Sequence, residues 1–64
     1  MPLAKTLAER EKELQALLRT AEGKVQLEAL ATRYYASCGR PRPPGTSIVT
    51  YILVYEREHG LIQS

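Results

Sequence analysis

The residues of this 64-residue chain that could do covalent or metal chemistry are few and solitary: one histidine, His59, one cysteine, Cys38, and no aspartate. A zinc-type site needs several ligands at short spacings, and neither residue has a second ligand nearby. A nucleophilic thiol needs a base within hydrogen-bond reach, yet no His or Asn stands near Cys38 in the sequence. Gly-rich phosphate loops and carboxylate dyads are also missing. The chain is therefore expected not to be an enzyme, with no cofactor, metal or small-molecule substrate. His59 is expected to act as a capping donor at a helix end, and Cys38 as a small half-buried side chain.

The chemistry that remains is recognition. Net charge is +2, unevenly spread. Residues 24–46 carry Lys24, Arg33, Arg40 and Arg42 against Glu28 alone, whereas residues 1–23 balance and residues 47–64 hold Arg57 against Glu56 and Glu58. Lys24, Arg33, Arg40 and Arg42 are the candidate contacts to nucleic-acid phosphates, a footing that reads no sequence. Tyr34 and Tyr35 could stack on bases, but neighbouring helical positions point about 100° apart, so one is expected to pack inward and the other to lie on the rim. Arg40-Pro-Arg-Pro-Pro44 has a PxxP spacing that is read first as a rigid connector.

The elements that position these residues follow from punctuation. Ile48 to Tyr55 is apolar apart from Thr50 and rich in strand-favouring types. Thr46 and Ser47 can nevertheless cap a helix after Pro43-Pro-Gly45, and Gly60 followed by Leu61 reads as a left-handed cap. No other segment offers a partner strand, so a helix over about 47–59 is expected. Leu3, Leu7, Leu14, Leu17, Leu18 and Ala21 recur at helical spacings and give a first helix over about 3–19. Its polar face, with Lys5 near Glu9 and Glu9 near Lys12, reads as solvated. Thr20 capping a second helix, or Gly23 ending the first, sets the next boundary. The second helix then runs to about residue 37, with Leu27, Leu30, Ala31, Tyr34 and Cys38 on one side. Gly39 to Gly45 holds too many prolines to be helical and is expected to be a stiff linker. The expected fold is one all-α domain of three helices, about 3–19, 21–37 and 47–59.

The segment Thr46-Ser-Ile-Val-Thr-Tyr-Ile-Leu-Val-Tyr-Glu-Arg-Glu-His-Gly-Leu-Ile62 resembles the recognition helix of winged-helix transcription regulators. Leu27-Glu-Ala-Leu-Ala31 stands in the place of that family's preceding helix. The resemblance covers residues 27–62 and implies a helix-turn-helix that binds duplex DNA. Two departures are visible: Glu56 stands where the family has a core Leu, and the proline-rich linker replaces a tight turn. Thr50, Tyr51, Val54, Arg57 and Glu58, which would face DNA, are poor in groove-reading types.

Three short helices are near the lower size limit for one core. Packed on only two short helices, the third is expected not to bury Ile48, Tyr51, Val54 and Tyr55 along with Val49, Ile52 and Leu53. Ile48, Tyr51, Val54 and Tyr55 are therefore the expected oligomer interface, and the expected function is a protein-interaction module whose partner is a second copy of itself. A small DNA-binding protein using residues 24–46 is the alternative. The N-terminal residues Met1-Pro-Leu-Ala-Lys5 lack a secretory pattern and no run is long enough to span a bilayer, so a cytoplasmic protein without membrane contact is expected.

Overall fold

Cap chemistry sets where each helix begins. The computed structural model describes residues 5–63 and shows an all-α domain of three helices, α1 (Leu7–Leu17), α2 (Ala21–Cys38) and α3 (Ile48–Glu58), each packed on the other two. Thr6 has extended backbone angles (φ −73°, ψ 161°) and its hydroxyl accepts from Glu9 N–H at 3.2 Å, while Glu9 Oε1 accepts from Thr6 N–H at 3.1 Å. This reciprocal box starts α1 at Leu7 rather than near residue 3, because a capping residue cannot also be a helical one. Leu3 itself lies outside the described residues. Glu9 is thereby engaged by Thr6 instead of by Lys5 or Lys12, and Lys5 pairs with Glu13.

Thr20 caps α2, its Oγ1 accepting from Gly23 N–H at 2.8 Å. Gly23 has a second duty in the tight α1–α2 corner. A Cβ there would lie 1.9 Å from the Leu17 carbonyl oxygen, so only glycine lets the two backbones meet.

Ser47 caps α3 by accepting from Thr50 N–H at 3.1 Å. The helix ends in a double closure: Leu61 N–H donates to Glu56 O at 2.8 Å and Gly60 N–H to Arg57 O at 3.2 Å, with Gly60 at φ 70°. That is the six-to-one and five-to-two pattern of a Schellman cap, which turns the chain back on itself. Ile62 consequently re-enters the core, and Gln63 clips onto the start of α1: Leu7 N–H donates to Gln63 O and Gln63 N–H to Lys5 O, both at 2.8 Å. This isolated parallel bridge uses one of the orphan donors at the N-terminus of α1.

Leu14, Leu27, Val49 and Ile52 are fully enclosed, joined by Tyr34, Leu53 and Ile62. Leu7, Leu17, Leu18, Leu30, Ile48, Tyr51 and Tyr55 pack around them half-buried. Ala21 is exposed in the first turn of α2 and takes no part in the α1 stripe. The apolar surplus on α3 is thus smaller than its composition suggests. Tyr51 O–H donates to Arg40 O at 2.6 Å, which draws the linker back along α3, and of the apolar residues in Ile48 to Tyr55 only Val54 remains exposed.

Candidate interaction surface

Of the two polar or apolar concentrations on α3, the polar one is fully occupied by the fold. Glu56 is 2 % exposed. Arg10 of α1 grips it with a two-pronged contact, Nε to Oε1 at 2.8 Å and Nη2 to Oε2 at 2.9 Å, and Tyr34 of α2 donates its O–H to Oε2 at 2.6 Å. Arg10 Nη1 also donates to Glu13 Oε1 at 3.0 Å, and Glu13 pairs with Lys5. One buried carboxylate thereby joins all three helices, and every buried side-chain polar atom among the described residues has a partner.

The proton affinities follow from these contacts. Burial first, and then the hydrogen bond to Glu56, pushes the Tyr34 phenol up to about 12. The Glu56 hydrogen bond raises Arg10 further above its already high range. Lys5, then Arg10, holds the Glu13 carboxyl below its usual range, and the Thr6 backbone N–H does the same for Glu9. With both oxygens of the buried carboxylate engaged by Arg10 and Tyr34, the cluster binds the three helices to one another.

The opposite flank of α3 is open. Pro41 and Tyr51 form a ridge between two furrows. The wider, about 250 Å³, lies toward α2 between Tyr35, Ile48, Glu28 and Arg42. The narrower, about 160 Å³, runs along α3 over Val54 and Tyr55, walled by Pro43, with Arg40 bordering it from the linker and Glu58 and His59 from the last turn. Both are smaller than the roughly 300–1,000 Å³ clefts that enclose small molecules.

Of the expected interface residues, Val54 is exposed, whereas Ile48, Tyr51 and Tyr55 are half-buried and present only an edge. Tyr55 is further fixed by stacking on Tyr34 (centroids 4.0 Å, 9° between planes) and by donating its O–H to Ser37 Oγ at 3.0 Å. His59 stacks on the other face of Tyr55, again at 4.0 Å, and its Nδ1 lies 3.0 Å from Tyr55 O, which makes that nitrogen a donor to the end of α3. Burial first, with the Cys38 thiol beside it, raises the Tyr51 phenol above its ordinary range. Cys38 is half-buried and its Sγ accepts from Arg40 N–H at 3.5 Å, a contact within the turn that leaves α2. Tyr34 points inward and Tyr35 is exposed.

The four cations do not share one face. Nine helical positions put Arg33 about half a turn around α2 from Lys24 and about 14 Å along it. Arg40 and Arg42 leave the linker toward different furrows. Glu56 and its partners are the arrangement that sequence reading missed. The signal was present in its register: Val49, Ile52, Leu53 and Glu56 fall on one helical face, the face that is buried.

Among the described residues there is no cluster of three or more potential metal ligands, and no helix is long and apolar enough to cross a membrane. No known family, curated protein or solved structure matches this chain.

Proposed function

We propose that this chain is a cytoplasmic, non-enzymatic helical module that recognises a protein surface, and that the surface is a second copy of itself, met through the outer flank of α3. The observation that carries this reading is Val54. It is 49 % exposed near the C-terminal end of an apolar run whose other apolar members are buried or half-buried, and it borders the narrower furrow together with Tyr51, Tyr55, Pro41 and Pro43. A single exposed hydrophobic side chain needs no explanation, and Val25, more exposed still, borders neither furrow. Val54 differs because a continuous apolar furrow surrounds it. Burial of that strip would also enlarge a core limited by chain length.

Sedimentation equilibrium at micromolar concentration tests the reading: the parent should have at least a dimeric mass, and Val54→Lys should be monomeric with its helix content retained. A monomeric parent across that range overturns it. Duplex-DNA binding through Lys24, Arg33, Arg40 and Arg42 has less support, because those cations are divided between faces and a small, split patch gives weak phosphate contact. A sub-micromolar complex with one duplex sequence at physiological salt would reverse the ranking.

A further inference from the structure

The narrow furrow is charged oppositely at its two ends. Arg40 borders it at the linker end and Glu58 near the C-terminus of α3, with Val54 between them. Tyr51, whose hydroxyl is held by Arg40 O, is seven residues from Glu58, so the two charged ends are on the order of 10 Å apart along the helix. Both side chains are exposed, and neither forms an ion pair among the described residues. Arg57, the neighbouring cation, borders neither furrow.

Symmetry turns this layout into an orientation. In a closed two-fold pair the same patch faces itself, so whatever meets Arg40 of one chain is met by Arg40 of the other. Two α3 helices laid parallel would set Arg40 against Arg40 and Glu58 against Glu58. Laid antiparallel, they set Arg40 against Glu58 twice and also oppose the two helix dipoles. We propose that the chain forms an antiparallel two-fold dimer in which Val54 of each copy seats in the narrow furrow of the other, and Arg40 of each pairs with the partner's Glu58. This rests on the reading that α3 self-associates and adds its direction and register.

Charge reversal separates the two. E58R alone places like charges at both contacts of its homodimer, and so does R40E. An equimolar mixture of the two forms a heterodimer in which both contacts are again attractive, and so does the double variant R40E/E58R with itself. Sedimentation equilibrium at low salt should show each single variant self-associating about tenfold more weakly than the parent. The mixture and the double variant should return to near-parental affinity, and added salt should weaken the parent while relieving the single variants. Circular dichroism checks that the exposed substitutions leave the helices intact; if one does not, Glu58→Gln or Arg40→Gln replaces it, with a few-fold weakening expected. Equal affinities for parent, E58R and R40E, with Val54→Lys still monomeric, would overturn the antiparallel register and leave the self-association reading standing. A monomeric parent overturns both.

Discussion

Glu56 and Val54 are two residues apart on α3 and occupy each other's usual places: the carboxylate is 2 % exposed and the valine 49 %. The difference between their flanks lies in what the other elements supply. On the Glu56 side, α1 contributes a guanidinium and α2 a phenol, so the desolvation cost of a buried charge is met by hydrogen bonds to both oxygens. On the Val54 side the linker holds Tyr51, and α2 with His59 holds Tyr55, while the valine stays uncovered. The polar flank is closed chemistry and fixes how three short helices meet. The apolar flank leaves Val54 in water, and it is this side chain that the proposed self-association would bury.

The largest effect should come from breaking the closed flank. Arg10→Ala leaves Glu56 buried without its main partner and should cost about 3 kcal/mol, the low end for such pairs because the Arg10 side chain is 22 % exposed. Net stability of a domain this size is roughly 3–5 kcal/mol, so urea denaturation should find a substantially unfolded population. Replacing all three partners by apolar side chains, Arg10→Met with Glu56→Leu and Tyr34→Phe, should recover most of that loss. A cost below about 1 kcal/mol for Arg10→Ala would mean that the flank is not held by charge.

Tyr34→Phe removes only the phenol and should cost about 1.5 kcal/mol, typical of a hydrogen bond to a charged acceptor. The same group sets an alkaline limit. Its pKa rises from 10.0 to about 12, so between those values the folded chain keeps a proton that the unfolded chain has lost. Stability is therefore intact below pH 10 and falls as pH rises toward 12, and the fall should be shallower in Tyr34→Phe. The acid limb has the opposite sign. Glu9 and Glu13, both held below 4.5, contribute above that value and lose their contribution as pH falls beneath it. Helix content followed against pH reads both limbs.

Smaller again is the effect of the glycines that end α2 and α3. Gly60 (φ 70°) and Gly39 (φ 71°) have the same left-handed backbone, and a Cβ at either would meet open space. Gly60→Ala and Gly39→Ala should each cost about 1 kcal/mol by thermal denaturation, from backbone strain alone. A clear inequality between them would show that the Schellman closure at Gly60, which returns Ile62 to the core, carries more than its local geometry.

What could be read from the sequence was local. Ser47 and Gly60 identified α3 as a helix against its strand-like composition, because a cap is a matter of a few adjacent atoms. Thr6-Leu-Ala-Glu9 is an equally local capping box, but a helix start read from leucine spacing alone passes over it and falls too early. The buried triad could be suspected from the register of Glu56, yet its partner Arg10 is 46 positions away and no periodicity rule connects them. The apolar excess of α3 was overestimated for the same reason: folding the linker over Tyr51 is a tertiary event. The scattered cations are the reverse case, since residues 24 and 33 look close in the chain but nine steps of a helix separate their faces.

The smallest expected effect is also the one on which the comparison turns. At concentrations where the parent is dissociated, Val54→Lys should change stability by less than about 0.5 kcal/mol, because the position is exposed, lysine is a slightly better helix former than valine, and its methylene stem can lie along Pro43 and Tyr55. At micromolar concentration the two chains should part. The parent's melting temperature should climb with concentration as dimerisation adds its free energy to folding, while that of Val54→Lys stays fixed. A loss of about 2 kcal/mol in the dilute limit would instead mean that Val54 contributes to the core of one chain as Ile52 does, and the two flanks of α3 would no longer differ in kind.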